Sequence, residues 1–136
     1  MLGNTWDDRH MASTPTELVT EFCALWSDPD PETIASYFAE NAVYTNVPQE
    51  PMRGRSAITQ FLLRFAESFD GIDFIVHRQI SDGNVVMNER TDVLRRKDGV
   101  ELRLPVMGVF EIVDGRIAAW RDYFDQTTIS AIVGTS

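Results

Sequence analysis

With a single cysteine, Cys23, this chain can form no internal disulfide, so its fold must rest on packing. One thiol also fits a reducing compartment. Histidine is nearly as scarce. Only His10 and His77 occur, and neither sits in a metal-ligand spacing. Basic charge is in deficit: 12 Lys and Arg stand against 21 Asp and Glu, a formal net charge of −9. Such a chain repels phosphate backbones and anionic membrane surfaces. Long apolar runs are missing, and none approaches the ~20 residues of a membrane span. No N-terminal stretch joins a basic flank to an apolar core as a secretory leader does. There is no Gly-rich phosphate loop, no Gly-x-Ser-x-Gly elbow and no Ser/His/Asp arrangement. These absences argue against nucleic-acid and membrane partners, a metal or other cofactor, and serine-nucleophile chemistry. They lead to the expectation of a soluble, cytoplasmic protein.

What is present is an ordinary globular composition, 43% hydrophobic and 24% charged over 136 residues. That length suits one domain with a real core. Residues 1–13 lack any period, and His10-Met11 resembles the scar of a cloning site. They read as a tag or a disordered arm, leaving 14–136 as the single domain.

The helices come first. Thr14 is placed to cap a helix whose first turn holds Pro15 and Glu17, and Leu18, Phe22, Leu25 and Trp26 follow at helical spacing. Asp28-Pro29-Asp30-Pro31 ends that helix and opens another over 31–39, carrying Ile34, Tyr37 and Phe38. A strand is expected over 42–47. A third helix, with Ser56 as its cap, carries the stripe Ile58, Phe61, Leu62 and Phe65. From Gly71 the character changes. Segments 72–80, 85–95, 101–112 and 116–124 read as strands separated by turns, among them Asp98-Gly99 and Asp114-Gly115. The pattern predicts an α+β domain, with helices packed on one face of an antiparallel meander.

Alternation along strands then sorts the side chains. Arg90, Asp92 and Leu94 share one face of their strand. Leu102, Leu104 and Val106 share a face of the next, and Trp120, Asp122 and Phe124 a face of the last. Tyr44 and Asn46 share a face of the first strand. Two strands thus set an aspartate among large apolar neighbours. If those faces line the concavity between sheet and helices, Arg90 must bridge both carboxylates, because unpaired buried charge is costly. One arginine against two carboxylates leaves room for one proton, hence a general acid beside a general base. Spacing alone is equally compatible with Arg–Asp pairs on a solvated face.

At these residues the sequence resembles the limonene-1,2-epoxide hydrolase family, within the NTF2-like (SnoaL-like) cone folds. The resemblance is carried by Tyr44-Thr45-Asn46-Val47-Pro48, Glu89-Arg90-Thr91-Asp92-Val93-Leu94, Gly108-Val109-Phe110 and Trp120-Arg121-Asp122-Tyr123-Phe124-Asp125. It implies a curved, mostly antiparallel sheet holding three N-terminal helices in its concavity, and commonly a homodimer. It implies that Asp122 activates water held with Tyr44 and Asn46, that Asp92 protonates the epoxide oxygen, and that Arg90 lies between the two aspartates. The substrates so implied are a small apolar epoxide, terpene-like or cyclic, and water. By parity the pocket wall is Leu94, Leu104, Val106, Trp120 and Phe124, with Leu25 or Leu62 from the helices, though each also fits a plain core position. Two rival functions share the fold: an isomerase or cyclase, and a non-catalytic small-molecule-binding module.

Overall fold

Residues 13–133 are described by the computed structural model. The stretch read as a tag or arm, 1–13, lies outside the described residues apart from Ser13, and His10 is outside with it. Helix α1 (Pro15–Ala24) begins on a capping box: the Thr14 hydroxyl accepts from the Glu17 amide at 3.1 Å, and the Glu17 carboxylate accepts from the Thr14 amide at 2.9 Å. Such a cap is worth roughly 1 kcal/mol. The helix buries Leu18, Val19, Phe22 and Cys23, and a 3-10 turn, Leu25–Ser27, carries Trp26 into the core. Asp30 caps α2 (Pro31–Ser36), its carboxylate accepting from the Thr33 amide at 3.0 Å.

Helix α2 is shorter than the periodicity of 31–39 predicts, and the strand after it, β1 (Phe38–Val47), starts earlier than residue 42. The reason is aromatic packing. Phe38 sits edge-on to Phe22 at 5.5 Å and stacks with Trp120 at 6.3 Å, which requires extended chain where a helix would point the ring elsewhere. A two-residue strand, β2 (Met52–Arg53), then leads to α3 (Arg55–Glu67). Ser56 is not its cap. Gly54, at φ +96, occupies that position without a side-chain bond, and Ser56 falls inside the first turn. A residue at that φ is disfavoured unless it is glycine, so backbone geometry displaced the hydroxyl cap.

Four long strands complete the sheet: β3 (Phe69–Asp82), β4 (Val85–Arg96), β5 (Glu101–Val113) and β6 (Arg116–Tyr123). They form the antiparallel meander that the turns predict, with Asp114 and Gly115 both at positive φ in the last hairpin. β1 joins β6 in parallel, giving the order β2-β1-β6-β5-β4-β3. Helices α1 and α3 pack on one face of this sheet, against β3 and β4 and against β1 and β3 respectively. The last described element is α4 (Gln126–Val133), a helix that the sequence pattern does not announce. Asp125 starts it, accepting from the Thr127 amide at 2.9 Å and the Thr128 hydroxyl at 3.2 Å. No helix among the described residues is long and apolar enough to cross a membrane.

Candidate active site

The parallel pairing of β1 with β6 sets Tyr44 beside Trp120 and Asn46 beside Asp122. The antiparallel ladders set Gly108 across from Asp122 and from Asn88, and Leu104 and Phe74 across from Asp92. Because the side chains of one strand alternate, Asn88, Arg90, Asp92 and Asp122 all turn inward and are buried. The inward face is therefore the helix-covered one, and the solvated alternative for these pairs does not hold.

Arg90 is the hub. Its Nε donates to Asp92 Oδ1 at 2.8 Å and Nη2 donates to Asp92 Oδ2 at 3.0 Å, a bidentate pair. On the other side Nη2 donates to Asp122 Oδ2 at 2.9 Å and Nη1 donates to Asp122 Oδ1 at 3.2 Å. Asp122 accepts a third N–H, from Trp120 Nε1, at 2.7 Å. The Phe74 ring lies over the guanidinium, with Cζ 4.5 Å from its centroid. One arginine thus bridges two buried carboxylates, as the excess of inward acid over base requires.

Electrostatics divide the two acids. Burial pushes the Asp92 carboxyl up to about 6, the bonds and charge of Arg90 pull it down, and the charge of Asp122 raises it again. Asp92 therefore holds a proton far more readily than an ordinary aspartate. Burial opposes charge on Arg90, but the two carboxylates outweigh it and hold the guanidinium protonated. Tyr44 is pushed upward by burial, so its phenol stays neutral and donates, at 2.9 Å, to Asn46 Oδ1. Burial also pushes Cys23 up to about 12, which keeps it a thiol.

Of these groups Tyr44, Asn46, Asp92 and Asp122 line a cavity of about 180 Å³, while Arg90 and Cys23 stay outside its lining. Leu94, Leu104, Trp120 and Phe124 line it as parity predicts, and Leu62 joins them from α3. Val106 does not. It is buried on the same face but lies one step past the cavity, level with Arg90. Leu25 is likewise absent from the wall and packs on the core instead. The sequence reading missed Trp26, Phe61, Phe65, Ile72 and Phe74 as lining residues, along with Gln49, Gln126 and Ile129. Phe61 and Phe65 were visible as part of an apolar stripe. Phe74 needed the register of β3 on β4, which sets it across from Asp92. Gln126 and Ile129 needed α4, whose start Asp125 marks. His77 is exposed, outside this cavity, hydrogen-bonded to the Thr91 hydroxyl at 2.8 Å. Among the described residues no group of three or more His, Cys, Asp or Glu side chains gathers as metal ligands would.

Residues 13–133 match the family model described as the limonene-1,2-epoxide hydrolase catalytic domain. The chain is 37% identical over 107 residues to the epoxide hydrolase EphG of Mycobacterium tuberculosis, an alignment spanning 79% of this chain and 70% of that protein. The structure of an LEH-like epoxide hydrolase from M. tuberculosis superposes with a TM-score of 0.74 at 31% identity, covering 89% of this chain and 96% of the other. A protein of ketosteroid isomerase-like fold from Catenulispora acidiphila superposes with a TM-score of 0.76 at 21% identity, covering 91% and 96%. At that identity the likeness is one of fold alone.

Proposed function

The chain belongs to the limonene-1,2-epoxide hydrolase family and is an epoxide hydrolase of that type, and we propose that it adds water in one step to a compact apolar epoxide, terpene-like or cyclic, giving a vicinal diol. The observation that carries this reading is the Arg90 bridge between Asp92 and Asp122, two carboxylates that line a cavity walled mostly by apolar side chains. A strained epoxide still has a poor alkoxide leaving group. It opens when a proton reaches its oxygen as an activated water attacks carbon. Asp92, with its carboxyl raised to about 6, is the acid that supplies the proton. Asp122 is the base that takes a proton from water.

The water clamp follows from donor and acceptor counting. Asn46 Oδ1 is occupied by the Tyr44 hydroxyl, so the amide turns its Nδ2 donor to the water's lone pair. The water then gives one O–H to Asp122. Fixing the water this way removes orientation entropy from the step, and the apolar wall strengthens the charge interactions. Each acid or base contribution is typically worth ~10²–10⁴-fold in rate.

Size supports a compact substrate. A dry cavity of about 150 Å³ admits benzene, so one of about 180 Å³ suits a small substituted ring. The opposite face of the sheet leaves Ile75, Met87, Met107 and Tyr123 exposed, and a second copy of this chain is the occupant proposed for it. Sedimentation at micromolar concentration would read that assembly directly.

The test of function is incubation with a panel of cyclic and acyclic epoxides, with diol assayed by chromatography. Diol from cyclic apolar epoxides is expected, and rapid turnover confined to ring-closing or isomerisation substrates would favour the cyclase reading.

A further inference from the structure

Arg90 has five N–H donors, and four are used on the two aspartates. The fifth, on Nη1, goes to Asn88 Oδ1 at 3.3 Å. Asn88 is fully buried, two residues along the same face of β4. Its Nδ2 donates to Gln79 Oε1 at 3.1 Å and approaches Cys23 Sγ at 3.8 Å. Gln79 Nε2 in turn donates to the Thr16 carbonyl at 3.0 Å, with the hydroxyls of Thr16 and Thr20 at 2.8 and 3.0 Å.

The direction of this chain is forced. A backbone carbonyl only accepts, so Gln79 must turn its amino end toward Thr16 and its oxygen toward Asn88. Asn88 must then give its amino end to Gln79, leaving its oxygen for the guanidinium. Reversing both amides would set oxygen against oxygen at Thr16 and N–H against N–H at Arg90, with buried polar groups left unpaired. The first turn of α1 therefore dictates which end of the Asn88 amide Arg90 meets.

We propose that Asn88 is a positioning residue that fixes the roll of the Arg90 guanidinium between Asp92 and Asp122, with Gln79 fixing Asn88 in turn. The inference rests on the acid–base reading of the two aspartates. A guanidinium free to roll loosens its fork on Asp92, and the charged form of that carboxylate loses support. The titratable groups around the hub are Cys23 from α1, Tyr44 from β1, Asp92 on β4 itself and Asp122 from β6. The side chains that α3, β3, β5 and α4 contribute to the cavity are uncharged. Cys23 and Tyr44 stay neutral, so the Asp92 carboxyl is the group that responds.

The experiment is a carbon-detected NMR titration of the Asp92 carboxyl in the wild type, Asn88→Asp, Asn88→Leu and Gln79→Leu, with cyclohexene oxide hydrolysis measured on the same samples. Each variant is expected to raise the Asp92 midpoint, by about one unit in Asn88→Asp, where a third carboxylate faces the arginine. Any turnover should fall about tenfold in kcat with KM within twofold, as for lost positioning. Gln79 is only half-buried, so its variant keeps the test open if the Asn88 variants fold poorly. A lowered melting temperature with an unmoved Asp92 midpoint in Gln79→Leu and in a folded Asn88→Leu would overturn the proposal and leave Asn88 a packing residue, since the added charge of Asn88→Asp moves that midpoint by itself. Asp92→Asn and Asp122→Asn run alongside. Wild-type diol formation in either defeats the acid–base reading itself, whatever the Asn88 variants do.

Discussion

A Cβ on Gly108 would stand 2.5 Å from Arg90 Nη1, and 3.0 Å from oxygens of both Asn88 and Asp122. The missing side chain on β5 is the space in which the guanidinium lies flat between its partners. Gly108→Ala should therefore displace Arg90 rather than merely crowd it. The expected outcome is a kcat reduced by about 10²-fold, in line with small misplacements of reacting groups, and a stability loss of roughly 1–3 kcal/mol for overpacking. Steady-state kinetics with a denaturant melt checks both, and wild-type kcat would show that the floor under Arg90 is not needed.

Asp122→Asn should abolish diol formation while the protein stays folded. The amide keeps the shape but cannot take a proton from water, and it places an N–H group among the three N–H donors that now converge on the carboxylate. Circular dichroism and product assay on one sample decide it. An unchanged turnover number sinks the assignment of the base.

Arg90→Lys should fail as well. A lysine ammonium has three donors at a point and cannot present the planar fork that grips Asp92 and Asp122 together. The loss expected in kcat/KM is at least 10²-fold. Near-normal activity with lysine would mean that net charge alone suffices.

The pH dependence follows from the raised carboxyl of Asp92. Its folded value of about 6 exceeds the ordinary 3.8, chiefly through burial. Below about pH 4 folded and unfolded chains both hold the proton, and between about 4 and 6 the folded chain alone does. Its contribution to stability is thus lost as pH rises through that window, by on the order of 3 kcal/mol. Asp92→Asn has no such proton, so it should gain on the wild type by that order between pH 4 and pH 7. Wild-type kcat/KM should decline above about pH 6 as the acid is lost. Chemical melts at several pH values, paired with the rate profile, test both; a constant stability difference would show that Asp92 does not titrate in this window.

One-step attack by water can be separated from a covalent route. If a carboxylate attacked carbon, ester hydrolysis would pass a carboxylate oxygen to the diol in the first turnover. A single turnover in ¹⁸O water, with enzyme in excess, should instead give labelled diol. Unlabelled diol in that turnover, with label only later, would make an aspartate the nucleophile.

Much of this site is local in the sequence. Arg90-x-Asp92, Tyr44-x-Asn46 and Trp120-x-Asp122 each place two groups on one face, because strand side chains alternate whatever the strand pairs with. The meander was equally legible, since Asp98-Gly99 and Asp114-Gly115 mark turns by backbone chemistry alone. The tertiary structure decided what distance along the chain hides. The parallel register of β1 on β6, which sets Asn46 beside Asp122, follows from how the helices and sheet close together, and no local pattern encodes it. It decided that Val106 stops short of the cavity while Phe74 covers the arginine, since parity gives a face but not a depth. It decided the cap of α3, where a positive φ at Gly54 overrode the hydroxyl of Ser56. Above all it decided that Asp92 holds its proton to about pH 6. Burial sets that value, and burial belongs to the assembled chain, in which Arg90 must answer two carboxylates at once.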